Sequence, residues 1–224
     1  SYSDGGESLE QGAPDTQRCV SDANAQTTCT LTDLLGRVRR VSPPLGPQVA
    51  YSYDVEDQLV GATYGGASTL LSYDLGGRKL GMDDPDLGSW SYAYDALGNL
   101  TRQADARGQR VCLYYDALNR LSGKHYRLDD ACPTSPPGSL DVAYAYDDES
   151  SQYGIGYRTG MVDDSGSTSW RCDTRGRVSQ ETKAITGSGS FTAQWTYNSA
   201  DLLESLTYPD GEMLTYTYHP QLAL

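Results

Sequence analysis

Short runs of alternating aromatic and small residues recur along this chain, each closed by an acidic residue and a turn-forming cluster. They read TLTDLLGRV at Thr30–Val38, YSYDVEDQL at Tyr51–Leu59, LSYDLGGRK at Leu71–Lys79, YAYDALGNL at Tyr92–Leu100 and LYYDALNRL at Leu113–Leu121. YAYDDES at Tyr144–Ser150, WRCDTRGRV at Trp170–Val178, WTYNSADLL at Trp195–Leu203 and a clipped YTYHP at Tyr216–Pro220 complete the series. The acidic slot holds Asp33, Asp54, Asp74, Asp95, Asp116, Asp147, Asp173, Asn198 and His219, at intervals of 20 to 31 residues. A repeat of this length signals one supersecondary unit stacked many times.

Within a copy the aromatics stand at i and i+2, which places both rings on one face of a strand. Tyr51 with Tyr53, Tyr92 with Tyr94, Tyr144 with Tyr146, Trp195 with Tyr197 and Tyr216 with Tyr218 are the full pairs; Tyr73, Tyr115 and Trp170 stand in copies with one ring at these two slots. A D-x-x-G turn follows in Asp33–Gly36, Asp74–Gly77, Asp95–Gly98 and Asp173–Gly176. Asp at the first position can accept from the backbone two residues on, and Gly at the fourth takes positive φ without strain. Asn119, Asp201 and Asp57, which replace that Gly, are the side chains most tolerant of the same conformation. Further turns are expected at Asp105–Gly108, Asp163–Gly166 and Pro209–Gly211. One period therefore holds two strands and two turns, and no stretch sustains a helical period.

The expected fold is all-β: an antiparallel β-hairpin repeat array over residues 28–224, preceded at 1–27 by an irregular lead-in or a degenerate repeat. Nine units of two strands make about eighteen strands at ~4.8 Å spacing, a ribbon too long to stay open and flat. It is expected to coil into a spiral shell or an elongated solenoid-like sheet. The chain starts at Ser1 with no signal peptide, which suggests a segment of a longer secreted protein.

Composition sharpens this picture in one respect: there are 18 Tyr against a single Phe. Both rings bury similar apolar area, but a buried Tyr hydroxyl needs a partner. The bias suggests rings whose hydroxyls reach water, backbone or polar neighbours, although duplication of one biased unit would also produce it. A net charge of −13 with no Lys/Arg cluster argues against nucleic acid and anionic membranes as partners. No apolar run approaches the roughly 20 residues of a spanning helix.

Of five Cys, Cys29 and Cys112 share one repeat slot, four residues before the acidic position and on the face opposite the rings. Their expected partners, Cys19 and Cys132, lie in segments read as irregular, so two bridges would each pin a loop to the outer wall. Unpaired small hydrophobes are the other reading. Bridges would place the chain outside the cytoplasm, secreted or at a cell surface. Cys172 replaces a ring and is read as a buried thiol.

Candidate chemistry is sparse. His219 fills a turn slot, and His125 has no Cys or Ser at motif spacing; a Cys112/His125 dyad is a remote alternative. Acidic groups at Asp83, Asp84 and Asp86, Asp129 and Asp130, Asp147 to Glu149, and Asp163 and Asp164 match no calcium loop and read as solvated turns. No catalytic, cofactor-binding or metal-binding residue is assigned, and the chain is read as a non-enzyme.

The motif Y-x-Y-D-x-x-G-R/N-L, clearest at Tyr92–Leu100, resembles the YD repeats of bacterial Rhs proteins, insecticidal toxin complexes and teneurins. The resemblance runs from about Thr28 to the C-terminus. It implies a long antiparallel ribbon wound into a hollow shell, which in toxin-bearing members encloses a C-terminal effector. Asp147–Ser150 departs from it by lacking the turn Gly, so loops there are expected to leave the wall. The expected function is a structural wall or scaffold that encloses or displays other domains. Its partners would be neighbouring repeats or identical subunits, with an enclosed effector domain. The alternative is an adhesin or glycan-binding surface that uses exposed Tyr and Trp.

Overall fold

The computed structural model describes residues 15–128, 131–149 and 153–219. Residues 1–14 of the expected lead-in, the pair Asp129 and Asp130, Ser150 of the sixth copy and Pro220 of the last lie outside them. Two units are distinguished, Ser1–Gln109 and Arg110–Leu224. The first holds β1 (Thr16–Ser21), β2 (Thr27–Thr32), β3 (Val38–Ser42), β4 (Val49–Tyr53), β5 (Leu59–Tyr64), β6 (Ala67–Tyr73), β7 (Lys79–Asp84), β8 (Gly88–Tyr94) and β9 (Leu100–Ala104). The second holds β10 (Gln109–Tyr115), β11 (Leu121–Leu128), β12 (Val142–Tyr146), β13 (Arg158–Asp163) and β14 (Gly166–Cys172). It continues with β15 (Val178–Ile185), β16 (Gly189–Tyr197), β17 (Leu203–Thr207) and β18 (Met213–Thr215). The described residues contain no helix, and the chain is all-β as expected. In each unit every strand pairs antiparallel with its sequence neighbours.

The acidic residue organises each turn twice over. In the Asp33 turn the Gly36 N–H donates to the Asp33 carbonyl at 2.9 Å, and the Asp33 N–H donates to the Arg37 carbonyl at 2.9 Å. The Asp33 carboxylate also accepts from the N–H groups of Leu35 and Arg37, both at 3.0 Å. The same pair of side-chain bonds recurs at Asp54, Asp74, Asp95, Asp116, Asp173 and Asn198. Gly36, Gly77, Gly98 and Gly176 take positive φ at the fourth position, as do Asp57, Asn119 and Asp201. Asp105–Gly108 closes in the same way.

Just before seven of the acidic turns the register slips by one residue. Ser52 faces Gly61 while Tyr53 faces Leu59, and the same bulge falls at Leu31/Thr32, Ser72/Tyr73, Ala93/Tyr94, Ala145/Tyr146, Arg171/Cys172 and Thr196/Tyr197. A bulge bends the strand and leaves part of its ladder unmade. Repeated in seven of the nine copies, it is a built feature of the unit.

Three expectations need correction. Of the two readings of the lead-in, residues 16–27 fit the degenerate repeat and not the irregular segment: β1 pairs with β2 through an Asp22 turn whose fourth residue, Ala25, has φ 60°. The strand was unreadable because every side chain of β1 is exposed, so it carries no apolar alternation. Cys19 therefore lies in a strand directly opposite Cys29, and their disulfide joins two paired strands instead of pinning a loop. In the sixth copy the turn glycine is displaced, not lost. Gly156, with φ 87°, donates to the Asp147 carboxylate at 2.7 Å, and the Asp147 N–H reaches the Tyr157 carbonyl at 3.2 Å.

Among the described residues the only buried apolar side chains are Cys112, Tyr114 and Cys172. Stability must therefore come from the backbone ladders, the turns and half-buried ring contacts, summed along the array. Turn glycines can be ranked on this basis. A Cβ on Gly98 (φ 90°) meets nothing, whereas one on Gly176 (φ 79°) would overlap the Tyr157 hydroxyl. Gly98→Ala is expected to cost about 1 kcal/mol from positive φ alone, and Gly176→Ala distinctly more. Thermal denaturation of both, and of Gly176→Ala with Tyr157→Ala, checks this; the second substitution should recover only the excess.

Candidate functional site

The feature that repeats with chemical fidelity is the junction between one hairpin and the next. Between β5 and β6 the backbone pairing runs only to Gly61 opposite Leu70, two residues short of the start of β5 at Leu59. The Leu59 carbonyl accepts instead from the Tyr73 hydroxyl at 2.9 Å. The equivalent bonds are Tyr53 to Val38, Tyr94 to Lys79, Tyr146 to Leu121 and Tyr197 to Val178, each at 2.9 Å, and Tyr218 to Leu203 at 2.7 Å. In each case the acceptor is the first residue of the strand that follows the preceding turn. A phenol thus completes the junction where the ladder stops, and phenylalanine could not.

Arginine forms the second half of this clasp. Arg37, Arg78, Arg120 and Arg177, each four residues after an acidic slot, donate Nε to that residue's carboxylate at 2.6–2.8 Å. Each guanidinium also lies over the ring of the following copy, at 5.1 Å from Tyr53, 5.2 Å from Tyr94, 4.4 Å from Tyr146 and 4.5 Å from Tyr197. Each then reaches the next turn: Arg37 to Asp57, Arg78 to the Asp95 carbonyl, Arg120 to Asp147 and Arg177 to Asp201. One side chain thereby ties its own turn, the next ring and the next turn, using the fork and the stacking plane that lysine lacks. The signal in the sequence is Arg directly after the fourth turn residue, Gly or Asn.

The electrostatics follow. The Arg120 backbone N–H, then its guanidinium, hold the Asp116 carboxyl below the usual carboxylate range against partial desolvation. At Asp173 the Arg177 guanidinium is the leading cause of the same lowering. Arg120 is itself held more firmly in its charged form, by Asp147 first and Asp116 second.

Three further rings of the repeat slots lie under cations. Lys79 sits over Tyr92 at 5.1 Å, and Arg158 over both Tyr144 (5.3 Å) and Trp170 (4.8 Å). The Trp170 indole N–H donates to Glu181 at 2.9 Å. Tyr51, Trp195 and Tyr216 fill the outer slot of their pairs, while Tyr115 shares its place with the clasp rings. Tyr114 was not anticipated: it turns to the opposite face, where it is buried beside Cys112. Cys112 is bonded to Cys132, and Leu140 lies against Gly123, so the segment from Cys132 to Leu140 folds back over that face. With Cys112 in a bridge, it cannot serve as a nucleophile beside His125. His125 instead contacts the Asp141 carboxylate at 2.7 Å, which also accepts from the Tyr126 N–H. Cys172 is buried without a disulfide, and burial pushes its thiol pKa up. His219 follows β18 in the last acidic slot. No three potential metal ligands cluster among the described residues.

The RHS Repeat family matches residues 33–69 and 94–130; each stretch contains acidic turns, and the first also contains the whole clasp of Arg37 and Tyr53. Those two stretches are similar to RHS repeats. A search of curated proteins gives no match. Among solved structures, TcdB2-TccC3 is similar at a TM-score of 0.70 and 15% identity, over 87% of this chain and 12% of that one. TcdB2-TccC3 without its hypervariable C-terminal region gives 0.68 at 15% identity, over 87% and 11%. A Tc holotoxin pore from Photorhabdus luminescens gives the same values. At this identity the likeness concerns the fold. This chain spans about a ninth of the length of those structures.

Two substitutions test the clasp. Tyr94→Phe keeps the ring beneath Arg78 but leaves the Lys79 carbonyl without its donor, and should cost about 1 kcal/mol; an unchanged melting temperature would remove the hydroxyl from the account. The lowered carboxyl pKa values contribute stability that is present above the unfolded carboxylate pKa and lost as pH falls through the folded one. The melting temperature should therefore hold above about pH 5 and drop below about pH 4. Asp116→Asn can keep the turn acceptor, as Asn198 does, and should fold while showing a shallower acid limb.

Proposed function

We propose that these repeats form a stretch of wall in a larger shell or scaffold, enclosing or displaying other domains of a secreted or surface bacterial polypeptide. The recurrence of the clasp carries this reading. Load placed on one hairpin passes to the next through a backbone-anchored phenol and an arginine that spans two turns, which suits a continuous wall. The two disulfides fit an oxidising compartment. The repeats' partners would be further repeats and an enclosed effector, as in a shell around variable cargo.

A second reading draws on one place in the second unit. Phe191, Tyr208, Pro209 and Leu214 line an open hollow of about 520 Å³ beside Asp210 and Glu212. Half-exposed rings next to carboxylates can stack on and hydrogen-bond a sugar.

Antibody capture of the protein from its native cells, followed by protease digestion and mass spectrometry, tests enclosure. Under the wall reading, sequence joined to these repeats survives protease while the repeats are intact and is cut once they are unfolded. Equal digestion of both from the outset would overturn it. A glycan array separates the second reading: saturable binding lost in Phe191→Ala and Tyr208→Ala would favour an adhesin.

A further inference from the structure

On the face opposite the rings, the residue two before the acidic slot is Ser52, Ser72, Ala145, Arg171 or Thr196 in five copies, and each is exposed. In the fifth copy along the chain it is Tyr114, only 7% exposed, and Cys112 two residues earlier is fully buried. The connector from β11 to β12 is what covers them. Gly123 stands in the slot of Gly61 and Gly81, which face Ser52 and Ser72 across their hairpins. Leu140 lies so close over Gly123 that a Cβ there would overlap it. Residues 131–141 contain no strand, and Pro133, Pro136 and Pro137 lack the N–H that a ladder onto the wall would use. Among the described residues two bonded ties hold this strap. One is the Cys112–Cys132 bridge near its start. The other, at its end, is the Asp141 carboxylate, which accepts from the Tyr126 N–H and contacts His125 Nδ1, both at 2.7 Å. Beneath the strap the Tyr114 hydroxyl is buried without a partner, which disfavours the covered state. Cys19–Cys29 has no such task, because its residues already face each other in the β1–β2 ladder.

We propose that Cys112–Cys132 is a redox latch: reduction by a dithiol lets the strap lift from the wall and uncovers Tyr114, while the sheet stays folded. Cys112 is wholly buried and Cys132 half-buried, so a thiolate of the reductant attacks Sγ of Cys132. The bridge breaks, a mixed disulfide forms on Cys132, and Cys112 leaves as a thiolate that takes up a proton. The second thiol of the reductant then closes on the first and releases Cys132 as a thiol. The protein gains two electrons and two protons, and the dithiol becomes a cyclic disulfide. With the strap lifted, water reaches the Tyr114 hydroxyl. The Asp141 tie keeps the far end of the strap in place, so oxidation can close the latch again. The inference is independent of the wall reading, since it concerns one connector and not what the array encloses.

The full chain carrying Cys19→Ser and Cys29→Ser keeps Cys112–Cys132 as the bridge under test, with dithiothreitol as the reductant. Hydroxyl-radical footprinting reads Tyr114, and the alkylation rate of Cys112 is compared with that of Cys172, a buried thiol in the same molecule. On reduction, oxidation of Tyr114 and alkylation of Cys112 relative to Cys172 should each rise about tenfold or more, with the sheet signal in circular dichroism unchanged. Exchange into oxidised glutathione should restore the protection of Tyr114. Cys132→Ser on the same background should expose Tyr114 without reductant and show no response to it. Wild type, read at the same two residues by peptide mass, carries the test if either variant fails to fold. Tyr114 and Cys112 that stay as protected as Cys172 after reduction would overturn the latch, as would loss of the sheet signal.

Discussion

A carbonyl left without a backbone donor is the constraint on which this structure turns. Seven of the acidic turns are preceded by a bulge, and beyond the bulge at Ser52/Tyr53 the ladder to the next hairpin begins two residues late. The first carbonyl of the strand would remain unmatched beneath a ring, at a cost comparable to a lost hydrogen bond. The phenol at the end of the next strand supplies the missing donor. This accounts for Tyr over Phe at Tyr53, Tyr73, Tyr94, Tyr146, Tyr197 and Tyr218, where the ring provides apolar contact and the hydroxyl completes the backbone; the buried Tyr114 hydroxyl has no such partner.

The arginines extend the same logic from backbone to charge. A guanidinium that holds its own turn, covers the next ring and touches the next turn makes adjacent repeats cooperative without a conventional core. Stability in such an array is a sum of unit and nearest-neighbour contributions, so weak copies are tolerated when their neighbours compensate. The stretch from Asp147 to Gly176 illustrates this. Tyr157 stands where a clasp arginine would stand and lays its hydroxyl against Gly176, while Cys172 stands where the ring would be. Both halves of the clasp are altered together at one junction.

Some of this was legible because it is local. The Asp-to-Gly spacing encodes a turn whose bonds lie within five residues, and the i, i+2 rings encode a face. Cys112 with Cys132 was legible from slot and proximity. The β1 strand was not: TQRCVS has no apolar alternation and is held by its ladder and by Cys29. Gly156 was hidden because an insertion moved it away from its Asp, and only folding brought the two together.

The amino-acid sequence alone determined the all-β class, the hairpin period, the turn chemistry and the common face of the rings, since each depends on residues a few positions apart. The tertiary structure alone decided where the ladders stop, which carbonyl each tyrosine reaches and which turn each arginine spans. Those outcomes depend on register between strands some twenty residues apart, and a one-residue slip in that register would re-aim every side chain on the strand.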